Sequence, residues 1–345
     1  MSTELLKRHA ELEALGDGEE GRFLSGWQCT NEWAGEFLEA VERERSGLDP
    51  TAYQYLDRED RVAACFRDFH LSADSVNPPA LFFGEGATAI MFAICAWFKS
   101  EGTTEVFYLP PLYFTAHFSF QLLGIRARPI SAKHGFEDSF VFHLPSRRSL
   151  LLICDPIWYA GVHTPVKLID QIRSWQDRTG STVFVDGSFQ YMRWDNALTE
   201  ASSKLDPQRT VRVICPTKVL ALHGFRFAYA LVPASMRADL VRTYNSLFGS
   251  TSVDTIAFAR VAARSVEDRR ITANLVRVAA DRHRYLRTNG KITADWQPDS
   301  GYFVFEKIRG ALPDGPLMDG SYFEQKRYRE FRRINLLSPS IGALV

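Results

Sequence analysis

Short apolar runs separated by amphipathic stretches organise this chain between residues 80 and 232. Candidate strands at Ala80–Phe83, Val106–Leu109, Ile125–Ile130, Leu150–Cys154, Thr182–Val185, Val211–Ile214 and Phe227–Val232 alternate with helical stretches at Thr88–Phe98, Thr115–Leu123 and Val166–Arg178. That alternation is the signature of βαβ units and a mostly parallel sheet. Helices falling between strands cover a sheet on both faces, which predicts an α/β fold of three layers, α/β/α. Ahead of this region, Glu4–Leu15 reads as a helix ending at Gly16-Asp17-Gly18. Trp33–Arg45 reads as a second, with Phe37, Leu38 and Val41 on one side and a stop at Gly47, and Asp60–Phe69 as a third. After Pro233 the pattern changes. Ser235–Tyr244 and Val253–Tyr285 are helical, the latter broken near Asp268, and Tyr302–Glu306 and Arg333–Leu337 read as strands. This predicts a smaller α+β domain. The expected division is 1–50 as an N-terminal helical segment of the smaller domain, 51–245 as the large domain and 246–345 as the C-terminal small domain.

Bulk properties narrow the class. With 345 residues, 46% of them hydrophobic, the chain can bury a sizeable core. Lys+Arg 41 balances Asp+Glu 41, so the formal net charge is zero. Nothing global argues for nucleic acid or an anionic membrane as partner, and little self-repulsion opposes association. Cys29, Cys65, Cys95, Cys154 and Cys215 are scattered without a C-x-x-C pair. This argues against a disulfide framework or a zinc cage and for a reducing compartment, the cytoplasm. Residues 1–21 hold no apolar signal core, and the longest apolar stretches, such as Ala87–Phe98, are too short to span a bilayer.

Chemistry concentrates where the strands end. Ligands of parallel sheets gather at the carboxyl ends of the strands. Gly84-Glu85-Gly86-Ala87-Thr88 follows the first strand and opens a helix, an arrangement suited to a phosphate. Pro110-Pro111-Leu112-Tyr113 follows the second, Asp155-Pro156 the fourth and Asp186 the fifth. Lys218 follows the sixth in a helix-poor turn, with Arg226 downstream. A lysine just past a buried strand is costly unless its amine is used. A desolvated amine has a lowered pKa and forms a Schiff base readily with a carbonyl-bearing cofactor.

In this order, phosphate cradle, aromatic ring, carboxylate, amine and arginine resemble a fold-type-I pyridoxal-phosphate enzyme of the class I/II aminotransferase family, from about Tyr53 to Leu337. The resemblance implies pyridoxal 5'-phosphate as cofactor, with Lys218 holding its aldehyde and carrying the proton to and from the substrate Cα. It implies that Asp186 pairs with the pyridinium nitrogen and Tyr113 stacks on the ring. Gly86, Ala87 and Thr88, with Cys215 or Thr217 and Arg226, would bind the phosphate. Tyr53 or Tyr55 would reach the phosphate of the partner subunit in a homodimer, and Arg333 would bind the substrate carboxylate. No metal is implied.

The chain departs from the family pattern at the cofactor's phenolic oxygen. Trp158, in Asp155-Pro156-Ile157-Trp158-Tyr159-Ala160-Gly161, stands where the family has an asparagine, and Phe189 where it has a tyrosine. Tyr159, Tyr191 and His163 are possible substitutes. Cys215 replaces a serine. Beyond transamination of an amino acid, two alternatives stay open. One is a lyase, decarboxylase or carbon–carbon-bond-forming synthase, and the other a non-catalytic cofactor-binding module. His223, between Lys218 and Arg226, reads as a structural histidine. Arg327, Arg329, Arg332 and Arg333 form a basic run, from which only Arg333 is singled out.

Overall fold

The computed structural model describes residues 7, 10–11, 24–74, 79–131, 142–313, 317–323 and 328–344. Of the expected Glu4–Leu15 helix, Lys7, Ala10 and Glu11 are helical and the rest lies outside the described residues, as does Arg327. The helices are α1 (Gly35–Ser46), α2 (Asp60–Asp74), α3 (Ala87–Ser100), α4 (Phe114–Leu122), α5 (Val166–Thr179), α6 (Pro216–Val219), α7 (Ala234–Phe248), α8 (Val253–Arg264), α9 (Arg270–Thr288) and α10 (Pro339–Gly342). The strands are β1 (Ala80–Gly84), β2 (Glu105–Tyr108), β3 (Arg126–Pro129), β4 (Leu150–Cys154), β5 (Thr182–Gly187), β6 (Thr210–Ile214), β7 (Ala228–Val232), β8 (Ile292–Thr293), β9 (Phe303–Ile308), β10 (Met318–Asp319) and β11 (Phe331–Asn335).

Seven strands form one sheet in the order β1-β7-β6-β5-β4-β2-β3. All neighbours are parallel except that β7 runs against both β1 and β6. Successive residues of a strand point to opposite faces, and here both faces are apolar. Leu150 and Leu152 of β4 pack with Phe98 and Phe120 of α3 and α4. Leu151 and Ile153 pack with Ile169, Ile172 and Trp175 of α5. Leu81 and Phe83 of β1 meet Phe37, Phe66 and Phe258 of α1, α2 and α8. The near-continuous apolar runs in the sequence are thus strands buried on both sides, and the three-layer expectation holds.

A second, antiparallel sheet has the order β10-β11-β9-β8. It packs on Leu275, Val276, Ala279 and Leu286 of α9. β8 and β10 are two residues each, too short to leave a periodic signal. The Asp155–Gly161 loop is tied to the approach to β9, where Asp299 N and Ser300 N donate to Gly161 O at 2.8 and 3.0 Å. Gly161 has φ +65°, and a Cβ there would meet Phe303 O at 2.6 Å and Ser300 O at 2.7 Å. This loop approaches the start of β9 so closely that only glycine fits.

Candidate active site

Lys218 sits on a helical turn and not on the helix-poor one expected. Pro216 supplies the first helical φ of α6. Lys218 N and Val219 N then donate to Cys215 O at 2.9 and 3.2 Å. The turn leaves the end of β6 and carries the amine under the ring of Trp27, 3.4 Å from its centroid. Burial pulls the Lys218 pKa down to about 8; the Cys215 and Cys29 thiols oppose this, and the Arg226 and Arg333 charges reinforce it.

Asp186 is the penultimate residue of the adjacent strand, β5, in register with Val213 of β6. Its Oδ1 accepts from Ser188 N at 3.1 Å and Ser188 Oγ at 2.6 Å. Among the described residues no hydrogen bond reaches Oδ2. Burial raises its pKa, against the Ser188 bonds and the Lys218 charge, which lower it. A buried carboxylate with one open oxygen calls for a cation or an N–H donor.

Gly86 precedes α3 with φ 88° and ψ 160° and no side-chain cap, so the N–H groups of the first turn, from Ala87 and Thr88 onward, lie open. A Cβ at Gly86 would come within 2.8 Å of Arg226 Nη2. The Arg226 guanidinium therefore lies against a helix N-terminus, and among the described residues it has no hydrogen-bond or ion-pair partner. An unpaired cation beside open backbone donors is an anion cradle. Cys215 and Thr217, buried behind it, face each other, Sγ to Oγ1 at 3.1 Å.

Tyr113 is the N-cap residue of α4, and its ring meets Trp158 edge-on at 5.2 Å. Trp158 is 6% exposed, and its indole N–H has no hydrogen-bond partner. Arg333, on β11, is fully buried; it donates from Nη2 to the Ser25 carbonyl, and Cζ stands 4.5 Å from the Phe303 ring centroid. Tyr55 is half-buried with Arg58 4.4 Å over its ring, whereas Tyr53 is 81% exposed.

Of the suggested substitutes for the phenolic-oxygen partners, Tyr191 and His163 have polar partners elsewhere, and Tyr159 is held by ring stacking. Tyr191 Oη is 3.0 Å from His70 Nδ1, Tyr159 stacks on Phe323 at 4.2 Å, and His163 lies between Glu200 and Asp299. A cavity of about 590 Å³ opens on the far side of the lysine turn, against Pro216, Val219, Leu220 and Tyr191. Lys218 does not line it.

Trp27 carries no signal in the sequence pattern, and His223, which reads there as structural, stands at the site as well. Trp27 comes from the N-terminal segment and touches Lys218, Trp158, Phe189, His223, Phe303 and Arg333. His223 is held by Tyr302 Oη at 3.1 Å and Cys29 Sγ at 3.7 Å, with Nδ1 buried and without a partner.

In sequence, residues 28–332 match the family described as aminotransferase class I and II. The chain belongs to that family. Members are pyridoxal-phosphate-dependent, so this aminotransferase-type enzyme uses that cofactor. No curated protein matches the chain at a significant level. Among solved structures, N-succinyldiaminopimelate aminotransferase from Mycobacterium tuberculosis superposes with a TM-score of 0.80 at 16% identity, covering 97% of this chain and 95% of that one. YbdL from Escherichia coli, described as having a methionine aminotransferase function, gives 0.78 at 12%, covering 95% and 92%. Aspartate aminotransferase from Thermotoga maritima gives 0.77 at 15%, covering 100% and 94%. At these identities the likeness shows the fold. The residues of this family member fit the cofactor: the open Asp186 oxygen, the Gly86–Arg226 cradle, the unpartnered Trp158 N–H and the Lys218 amine lie along one end of the sheet.

Proposed function

We propose that this enzyme transfers the amino group of an amino acid to a 2-oxo acid, with Lys218 as covalent anchor and proton carrier. The carrying observation is the placement of Lys218 and Asp186 at the carboxyl ends of neighbouring parallel strands, close enough for the lysine charge to act on the carboxylate. When bound, the cofactor draws electron density from the substrate Cα and makes its C–H acidic.

The chain's own residues do the rest. Lys218, with its pKa lowered to about 8, has a neutral fraction at physiological pH and takes a proton at Cα. Asp186 Oδ2 holds the cofactor's ring nitrogen protonated. Tyr113 covers the ring, and Trp158 N–H offers a donor where an asparagine is absent. Gly86, Ala87, Thr88 and Arg226 take the phosphate, backed by Cys215 and Thr217. Arg333 offers the substrate carboxylate a planar guanidinium fork.

We place the enzyme in the cytoplasm as a homodimer in which Tyr53 or Tyr55 reaches the partner's phosphate. The five cysteines form no disulfide, and among the described residues no helix is long and apolar enough to cross a membrane.

The test is Lys218→Ala. The wild-type protein with cofactor should show visible absorbance and form keto acid in proportion to amino acceptor consumed. The variant should lose both while keeping its thermal midpoint. Visible absorbance that survives the substitution refutes the assignment. Carbon dioxide or an unsaturated product in place of keto acid moves the reaction to another class.

A further inference from the structure

We propose that the cavity behind the lysine turn binds a small carboxylate with an apolar body, and that Arg269 receives its carboxylate. This site is separate from the one that holds the cofactor. Lys218 does not line it, and the inference does not depend on which reaction the lysine performs. Its volume of about 590 Å³ lies within the span of roughly 300–1,000 Å³ typical of small-molecule sites.

The walls decide the body of the ligand. Phe37, Phe66, Phe69, Ile214, Leu220 and Val261 bring apolar groups from α1, α2, β6, the lysine turn and α8 to one space. Two phenols in the lining add no free hydroxyl. Tyr191 Oη lies 3.0 Å from His70 Nδ1, and Tyr229 Oη lies 3.0 Å from His70 Nε2. Both hydroxyls are thus engaged within the protein, and hydrocarbon is what such walls take from water.

The charges decide its head. Glu32, Glu36, Asp268 and Arg270 border the cavity but are exposed, and Arg270 Nη2 is engaged by Asp268 Oδ2 at 2.9 Å. Water screens such groups. Arg269 is the charged lining residue that is half-buried. It donates from Nη1 to Asn196 O at 2.9 Å and from Nη2 to Tyr191 O, and among the described residues no carboxylate pairs with it. Burial lowers its pKa, and the charge of Glu200 opposes this. The Glu200 carboxylate itself accepts from Tyr191 N at 2.9 Å and pairs with His163. A partly desolvated guanidinium with N–H groups left over calls for an anion, and its planar fork matches a carboxylate. A cationic head would be repelled there, and a neutral one would leave the charge unpaired.

The experiment is calorimetric titration of the holoenzyme with octanoate, hexanoate, octanol, octylammonium or acetate. We expect one saturable site for octanoate. Hexanoate, shorter by two methylenes, should bind about tenfold more weakly, and acetate should not saturate. Octanol and octylammonium should bind at least about tenfold more weakly than octanoate, and Arg269→Gln should bring octanoate down to the level of octanol. Ala40→Phe fills the cavity from α1 and leaves Arg269 in place. It should weaken octanoate binding at least about tenfold and leave the cofactor absorbance unchanged. Absence of saturable octanoate binding overturns the inference, as does octanol or octylammonium binding as tightly as octanoate. An unchanged octanoate affinity in the folded Ala40→Phe protein also overturns it, because the ion then lies elsewhere.

Discussion

The Tyr302 hydroxyl stands 3.1 Å from His223 Nε2 and 3.4 Å from the Lys218 carbonyl oxygen. The small antiparallel sheet thereby grips the lysine turn through one phenol. His223 is caught between that phenol, Trp27 and two cations. Burial, with the charges of Lys218 and Arg226, holds its pKa down at about 2. An unfolded chain takes up this proton near pH 6.5. Below that value the unfolded state binds more protons than the folded one, so the folded state loses stability as pH falls. Between pH 6.5 and 5, wild type should lose roughly 2 kcal/mol more than His223→Asn. Thermal or urea unfolding across that range checks this, and parallel curves would contradict it.

His163 predicts the opposite slope. Burial alone would lower its pKa, but the hydrogen bonds to Asp299 and Glu200 and the Glu200 and Asp155 charges outweigh it and raise it to about 10. A raised pKa gives stability that is full below the unfolded value near 6.5 and is lost as pH rises through about 10. His163→Gln should therefore be most destabilised relative to wild type at pH 6 and approach it above pH 10. Melting curves at one-unit intervals decide the point.

Gly86→Ala strains the backbone and crowds the cradle at once. Its φ of +88° is one that L side chains rarely adopt, and the added methyl would lie 2.8 Å from Arg226 Nη2. The conformational cost is about 1–3 kcal/mol. Cofactor affinity, followed by absorbance titration of the apo-enzyme, should fall at least about tenfold, the free-energy equivalent of roughly 1.4 kcal/mol. A variant that loses thermal stability yet binds cofactor as tightly as wild type would remove Gly86 from the phosphate site.

The sequence showed those features that local rules determine. β4, β5 and β6 are buried on both faces, so each leaves an uninterrupted apolar run, and whatever follows such a run lies at the sheet's carboxyl edge. Asp186, Lys218 and the Gly86 turn could be located in that way. Trp27 could not. Its position comes from bonds such as Asn335 Nδ2 to Gly26 O at 3.0 Å and to Gln28 O at 2.8 Å, made across nearly the whole chain. Periodicity carries no trace of such pairings. His223 read as structural for a related reason: only the fold shows Trp27 and Tyr302 closing around it. The helical turn at Lys218 was missed because four residues are too few to establish a period, although Pro216 is a helix-start residue.

The strap from Leu24 to Thr30 finds its acceptors and donors at Arg333–Leu337, through Asn335 N to Leu24 O at 2.7 Å and Thr30 N to Leu337 O at 2.9 Å. This segment therefore leaves the ribosome well before the one that holds it, with 309 residues separating Gly26 from Asn335. A nascent polypeptide can assemble its large sheet and expose its reactive lysine well before the chamber above that lysine can close. Enclosure of the amine thus comes later than its exposure, and cleavage ahead of Arg333 would leave the amine in place without the segment that holds the strap over it.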